Sequence, residues 1–256
     1  MQLTFLGTGA AGGVPLWGCD CQICSRARID VSSIRRPNCA LIEAGGVKLL
    51  LDAGVMDVCE RFPSGSLSAI LITHFHPYHV QGLFHWRWGV GELDVFAPHD
   101  AEGCADLYKY SGPLKFKHLS KFESFEVGGV RITPVPLVHY KPTLGYCIEH
   151  NGARLAYLTD SREIPPATAE FLTKWQPHTI CLDCTYPPGV DGKRNHFDLP
   201  EVLVLSENYP DSEIVLMHIS HSLDVWLLNH PFELTGRLSL ARDSDRLDIP
   251  EISCRR

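Results

Sequence analysis

The stretch Thr-His-Phe-His-Pro-Tyr-His at residues 73–79 constrains the fold more than any other feature, because three imidazoles directly follow an apolar run. That run, Ala-Ile-Leu-Ile at 69–72, predicts a buried strand. His74 and His76 are two residues apart, so they face the same side of an extended segment. Pro77 suits the first position of a helix, and this helix brings His79 close to the other two. We therefore predict a metal site where the strand ends.

Apolar runs elsewhere in the chain also lead to residues that can bind a metal, namely His139, Asp160 and His218. Sites in α/β folds gather at one end of the sheet, so these residues are expected to project toward His74 and His76. A single histidine at a strand end is usually structural, but its recurrence at several strand ends argues against coincidence. Imidazole and carboxylate together suit zinc, manganese or iron.

Three cysteines lie close together near the start of the chain, at Cys19, Cys21 and Cys24. Thiols at this spacing can converge on one tetrahedral zinc ion, and free cysteines in a loop are the alternative. A structural zinc needs a fourth ligand from elsewhere, for which a histidine is the expected donor. We predict a small zinc-binding loop at 19–24.

The composition is that of a globular protein, with 256 residues, a net charge of −7 and a pI near 6.0. This length allows one large domain over residues 1–256. The acidic balance argues against a protein that coats nucleic acid, whereas a small anionic substrate is compatible if the site carries positive charge. The first residues lack a basic segment followed by a long apolar one, so we expect no signal peptide and no membrane partner. The expected location is cytoplasmic, with reduced cysteines.

Strand and helix patterns alternate along the chain and predict an α/β fold. Residues 100–121 mix a helical pattern with a polar, aromatic loop, which fits either a lid or a contact at a sheet edge. The predicted strands are 2–6, 39–43, 47–51, 69–72, 94–97, 130–135, 145–149, 153–158, 179–183 and 213–217, and the predicted helices are 55–61, 166–175 and 199–208.

These features together resemble the metallo-β-lactamase superfamily. The stretch 73–79 matches its H-x-H-x-D-H motif except at Tyr78, where the family has aspartate. The cysteine cluster, the motif Arg194-Asn195-His196 and the motif His-Ile-Ser-His at 218–221 are similar to the PhnP family within it, over about residues 3–235. The resemblance implies an α/β fold, a four-layer αββα sandwich, with a two-metal site between its sheets.

The resemblance also implies which residues hold the metals. The active-site ligands would be His74, His76, His79, His139, Asp160 and His218. The first metal would be held by His74, His76 and His139. The second would be held by His79 and His218, and Asp160 would bridge the two metals. Tyr78 stands where the second metal has its other carboxylate ligand. The cofactors would be Mn²⁺ or Zn²⁺ in a one- or two-metal site.

Two further roles come from the same resemblance. His221 would complete the structural Zn²⁺ site of the three cysteines. His196 would be the catalytic side chain, together with the bridging Asp160. A neighbouring imidazole can act as a general acid for the alkoxide that leaves when a cyclic phosphodiester opens. The resemblance also suggests a homodimer.

Tyr78 leaves three outcomes open, because a phenol with a pKa near 10 ligates divalent ions poorly unless the metal drives off its proton. The second site is weak but filled, or one metal remains and supports slow hydrolysis, or the chain is non-catalytic. Tyrosine is also larger than aspartate and can crowd the cleft.

The leading hypothesis is a metal-dependent phosphodiesterase. The resemblance implies that it hydrolyses 5-phosphoribosyl 1,2-cyclic phosphate to ribose 1,5-bisphosphate in phosphonate catabolism, the carbon–phosphorus lyase pathway. The competing hypothesis is a non-catalytic or weakly active relative that binds a phosphorylated sugar. A third, a relative that cleaves RNA 3′ ends, is disfavoured by the acidic charge and the lack of a basic arm.

Overall fold

The computed structural model describes residues 1–190, 195–230, 234 and 236–251. Arg194 of the Arg194-Asn195-His196 motif and the end of the predicted domain, 252–256, lie outside these residues. The first seven strands are β1 Gln2–Gly7, β2 Cys39–Ala44, β3 Val47–Leu51, β4 Ala69–Leu71, β5 Leu93–Pro98, β6 Leu114–Leu119 and β7 Phe125–Val127. The other seven are β8 Val130–Pro136, β9 Leu144–His150, β10 Ala153–Leu158, β11 Thr179–Asp183, β12 Glu213–Met217, β13 Leu238–Leu240 and β14 Arg246–Asp248.

The helices connect and flank these strands. They are α1 Gln22–Ala27, α2 Val58–Arg61, α3 Pro77–Val80, α4 Leu83–Trp86, α5 Ala105–Lys109, α6 Pro166–Trp175, α7 Leu199–Ser206 and α8 His221–Asn229. In the part of the chain that the structure describes, no helix has the length and hydropathy needed to cross a bilayer.

The strands form two sheets of seven, in the orders β14-β1-β2-β3-β4-β5-β6 and β13-β12-β11-β10-β9-β8-β7. Each sheet is antiparallel in one half and parallel in the other, with β3 to β6 parallel in the first and β10 to β13 parallel in the second. Parallel neighbours end at the same edge of a sheet, so the segments after β4, β10, β11 and β12 can meet there.

The two sheets pack face to face around the main hydrophobic core. Leu49 and Leu71 of the first sheet belong to the same buried cluster as Tyr146 and Met217 of the second. A second cluster joins the outer face of one sheet to α6, α7 and α8, and a third joins the outer face of the other to α2, α3, α4 and α5. The predicted four-layer αββα sandwich is therefore confirmed.

Most predicted strands and helices lie within a few residues of their observed bounds, and helix 166–175 matches α6. Region 100–121 contains α5 and the edge strand β6, which pairs only with β5 in the described sheet. This corresponds to the edge contact, one of the two predicted alternatives. The strand was missed because β6 alternates apolar residues with lysines, and most of its side chains are exposed or half-exposed.

Candidate active site

The histidine stretch leaves β4 and enters α3. Pro77 is the first residue of that helix, as predicted, and His79 lies inside it. The carbonyl of Thr73 accepts a 2.9 Å hydrogen bond from the amide of Leu144, which ties the stretch to the second sheet. Because the strand end and the helix start are both fixed by the backbone, the three imidazoles are held before any ligand binds.

Three imidazoles and one carboxylate form a compact group beside the end of β4. Nδ1 of His76 lies 2.7 Å from Nε2 of His74 and 3.2 Å from Nε2 of His139. Oδ2 of Asp160 lies 3.7 Å from Nε2 of His74 and 3.9 Å from Nε2 of His139. Ligand atoms bound at about 2.1 Å to a tetrahedral zinc ion lie roughly 3.4 Å from one another. The residues predicted for the first metal thus form a group of the size that such an ion requires.

The outer nitrogens of these histidines contact hydrogen-bond acceptors. Nδ1 of His139 donates to a backbone carbonyl over 3.0 Å, and Nδ1 of His79 donates to Asp52 over 2.6 Å. Nδ1 of His74 donates over 3.0 Å to the hydroxyl of Thr73, which in turn donates to Asp52. Histidines that bind metals characteristically donate their other ring N–H in this way. The Nε2 atom of each of these rings consequently faces the group.

Burial keeps several of these imidazoles neutral. It lowers the pKa of His74 well below its ordinary value and lowers the pKa of His76 and His218 to about 4. Burial alone would raise the pKa of Asp160, but its attraction to the protonated forms of His218 and His79 outweighs burial and holds that pKa well below its usual range. An anionic carboxylate beside the neutral imidazoles of His74, His76 and His218 is a donor set that suits a divalent cation.

The residues predicted for the second metal converge on the same carboxylate oxygen. Nε2 of His79 and Nε2 of His218 lie 3.3 Å and 3.2 Å from Oδ2 of Asp160. Among the described residues, Nε2 of His218 is buried without a hydrogen-bond partner. Its Nδ1 donates over 2.7 Å to Thr185, whose hydroxyl proton goes to Asp183. A buried lone pair aimed at a carboxylate fits a cation between them.

Tyr78 also reaches into this group. Its hydroxyl donates to Oδ2 of Asp160 over 3.0 Å and lies 3.3 Å from Nδ1 of His76. Burial, together with the charge of Asp160, raises the pKa of the phenol above its ordinary value, which agrees with its role as the donor of this hydrogen bond. The expectation that tyrosine crowds the cleft is consistent with this position. The ligand assignments themselves stay predictions.

His196 lies beside the metal-ligand group and is held by Asp183. Its Nδ1 donates to Oδ2 of Asp183 over 2.6 Å, and its ring stacks on that of His218 with centroids 4.7 Å apart. Burial lowers the pKa of His196, but the charge and hydrogen bond of Asp183 outweigh it and raise the pKa to about 9. At pH 7 the imidazole is therefore protonated and can donate a proton.

Asp183 is one member of a second candidate ligand group, with Asp160, His196 and His218, whose ligand atoms all lie within 4.8 Å of one another. Its Oδ1 lies 3.8 Å from Nδ1 of His218, whereas Asp160 faces Nε2 of the same ring. A single ion cannot bind both nitrogens of one imidazole, so we interpret Asp183 as an outer partner that orients the two histidines.

Three further residues of the site, Asp52, Asp183 and Thr185, were not predicted from the sequence. Asp52 and Asp183 each follow or end a predicted strand, at β3 and β11, in the same way as the residues that were identified. The strand-end signal could have found both carboxylates. Thr185 carries no such signal, because a threonine in a loop is common and its contacts to Asp183 and His218 depend on tertiary structure.

The predicted zinc-binding loop meets the start of α8. Nε2 of His221 lies 3.2 Å from Sγ of Cys21 and 3.5 Å from Sγ of Cys19. The ligand atoms of these three residues and Cys24 all lie within 4.8 Å of one another. Hydrogen bonds from the backbone of Cys24 and from His221 lower the pKa of Cys21 to about 6, which favours the thiolate that zinc binds. The four donors fit a structural zinc.

A groove of about 410 Å³ opens next to His139. Its walls include His99, Lys121 and Lys141 together with the exposed ring of Tyr140. Lys141 is partly balanced by Asp100, with Nζ 3.6 Å from Oδ2. The groove thus adds positive charge beside the metal-ligand group in a chain whose overall charge is negative.

Comparison with known proteins agrees with this geometry. The family described as "Beta-lactamase superfamily domain" matches residues 48–219. A solved structure described as a new diphosphatase from the PhnP family superposes with a TM-score of 0.78 at 27% identity, and the match covers 96% of each chain.

Two curated relatives are matched over only part of their length. The octanoyltransferase of Porphyromonas gingivalis is 28% identical over 244 residues, which cover 86% of this chain and 46% of the relative. Coenzyme PQQ synthesis protein B of Methylorubrum extorquens is 28% identical over 193 residues, which cover 62% of this chain and 64% of the relative. The chain therefore spans about half to two thirds of these relatives. The family match, the αββα sandwich and the converging histidines together establish that the chain belongs to the β-lactamase superfamily, with the metallo-β-lactamase fold and a resemblance to PhnP.

Proposed function

We propose that this protein is a metal-dependent phosphodiesterase that acts on a small phosphorylated sugar. The observation that carries the proposal is the pairing of His196 with Asp183 directly beside the group of metal ligands. A bound divalent ion would supply Lewis acidity and a water of lowered pKa. The specific reaction proposed is the opening of 5-phosphoribosyl 1,2-cyclic phosphate to ribose 1,5-bisphosphate in phosphonate catabolism.

Different residues of the chain would bind the ion and donate the proton. His74, His76 and His139 would hold the ion with Asp160, and their outer hydrogen bonds fix the ring orientations before it binds. His196 is a protonated imidazole, since its pKa is raised to about 9, and can give its proton to the alkoxide that leaves. Asp183 holds Nδ1 of that ring, so that Nε2 is the atom available to the leaving group.

The groove beside His139 supports an anionic substrate. Lys121 and Lys141 line it, and charge of this sign raises the local concentration of a phosphate ester. The similarity to a diphosphatase of the PhnP family supports chemistry at phosphorus, because hydrolysis of an ester and of an anhydride both displace an oxygen from a phosphoryl group. We propose no nucleic-acid partner, and we propose a homodimer on resemblance alone.

The test is an assay of purified protein loaded with Mn²⁺. We expect hydrolysis of the 1,2-cyclic ribose phosphate and of bis(p-nitrophenyl) phosphate, with a diphosphate tested in parallel. A preparation that holds metal and cleaves neither diester contradicts the proposal. If only the diphosphate is cleaved, the activity of the protein is hydrolysis of a phosphoric anhydride rather than of a phosphodiester.

A second candidate is a protein that binds a phosphorylated sugar without turnover. It is favoured by one observation, the hydrogen bond from Tyr78 to the oxygen of Asp160 on which the second-site histidines converge. Metal analysis separates the candidates, because this one predicts about one zinc per chain, held by the cysteines. Ribose 5-phosphate would then bind in calorimetry without metal, and the phosphodiesterase requires at least one further ion.

A further inference from the structure

We infer that the hydroxyl oxygen of Tyr78 is a fifth donor to the first active-site metal, so that this chain holds one active-site ion rather than two. The inference rests on the first metal site of the proposed function. It gives Tyr78 a different role from that of a weak substitute for a missing ligand of the second metal.

The position of the hydroxyl carries the inference. It lies 3.0 Å from Oδ2 of Asp160 and 3.3 Å from Nδ1 of His76. Both neighbours are atoms of the first ligand group. In a five-coordinate site with bonds of about 2.1 Å, adjacent ligand atoms lie roughly 3.0 to 3.6 Å apart. Both separations therefore fit the edge of a coordination polyhedron that surrounds one ion.

The phenol is fixed by the rings around it. Its ring stacks on that of His76, with centroids 5.4 Å apart and an interplanar angle of 22°. The ring of His79 packs against it at 4.6 Å. Tyr78 is also the second residue of α3, directly after Pro77, so its backbone is held by the same helix start that positions His79. Little side-chain entropy then remains to be lost when the oxygen binds an ion.

The same position weakens the second metal site. That site depends on His79, on His218 and on Oδ2 of Asp160, which would also bind the first ion. Tyr78 provides no carboxylate to that site in place of the family's aspartate. Loss of a negative charge from a site that keeps two nitrogen donors and one carboxylate oxygen shared with the first ion favours loss of the second ion over loss of the first.

Ferric iron provides a direct probe. The protein is stripped of its active-site metal, loaded with Fe²⁺ and oxidised in air, and its visible spectrum is compared with that of Tyr78→Phe. Ligation by tyrosine displaces the phenol proton to solvent and forms a bond from oxygen to iron. It gives a phenolate-to-iron charge-transfer band in the visible region. Any contribution from the cysteine site cancels in the difference spectrum, because both proteins contain that site.

We expect the band in the wild type and its absence in Tyr78→Phe, with unchanged circular dichroism in the variant. In parallel, Mn²⁺ binding counted by electron paramagnetic resonance should give about one active-site ion in the wild type and about two in Tyr78→Asp. Identical spectra of the iron-loaded wild type and Tyr78→Phe overturn the inference, as do two Mn²⁺ ions in the wild type. If diester hydrolysis persists in either case, only the inference fails. If no ion binds, the proposed function fails with it.

Discussion

Asp183 accepts a 2.6 Å hydrogen bond from Nδ1 of His196, and the same carboxylate accepts the hydroxyl proton of Thr185, which orients His218. We expect Asp183→Asn to lower kcat for diester hydrolysis by about 10- to 100-fold, the usual effect of removing an outer partner in such sites. Steady-state kinetics and thermal melting are the measurements. Asp211→Asn, at an exposed carboxylate, is the control. Equal kcat in the two variants contradicts the role given to Asp183.

Two diesters with different leaving groups can distinguish a role of His196 as a proton donor from a structural role. His196→Ala should lower kcat for an alkyl diester by about 100-fold or more, since general acids contribute about 10²- to 10⁴-fold. An aryl diester such as bis(p-nitrophenyl) phosphate should be affected much less, because its phenolate leaves without a proton. The ratio of the two rates is the measurement. His230→Ala, at an exposed histidine, should leave that ratio unchanged, and an equal loss on both esters argues against acid catalysis.

The cysteine cluster should contribute to stability rather than to turnover. It joins the loop around Cys21 to His221, residues distant in sequence, so loss of the zinc would free the start of α8. We expect Cys24→Ser to cost on the order of 2 kcal/mol, which corresponds to a fall in Tm of about 4–8 °C in a protein of this size. Zinc content and Tm are measured together. Cys59→Ser removes a partly exposed thiol outside the cluster and should change neither.

The sequence predicted the strands and their ends better than the contacts made beyond them. His139, Asp160 and His218 could be identified because each follows an apolar run. Parallel pairing brings the ends of β10 and β12 to one edge, and β8 ends at the same edge because β8 and β10 both run antiparallel to β9. The hydrogen bond from His79 to Asp52 and that from His196 to Asp183 could not be derived in the same way. They depend on how segments far apart in sequence pack, and no local pattern encodes their distances.

Helix α8 was missed for a different reason. α8 begins at His221 and contains apolar residues on more than one side, so its pattern resembles that of a loop rich in leucine more than that of an amphipathic helix. Its start is instead fixed by Ser220, whose hydroxyl accepts the amide of Leu223, and by the contact of His221 with the cysteines. Tertiary contacts therefore decide the structure at this end of the chain.

Tyr146 connects the core to the histidine stretch. Its hydroxyl, buried in β9, donates over 2.6 Å to the carbonyl of Ile72, two residues before His74. Burial raises the pKa of this phenol well above its ordinary value, so the donor keeps its proton across the working pH range. Tyr146→Phe keeps the ring but leaves the buried carbonyl without this donor, at a cost of about 1–3 kcal/mol in the free energy of unfolding.

The loss should appear in urea denaturation as a lower midpoint with an unchanged slope, since the surface exposed on unfolding is the same. The matched control is Tyr110→Phe, because Tyr110 is 56% exposed whereas Tyr146 is fully buried. That variant should stay within about 0.5 kcal/mol of the wild type. If the two variants are equally stable, the hydrogen bond to Ile72 adds nothing measurable. The start of the histidine stretch must then be held by the backbone alone, through the bond between Thr73 and Leu144.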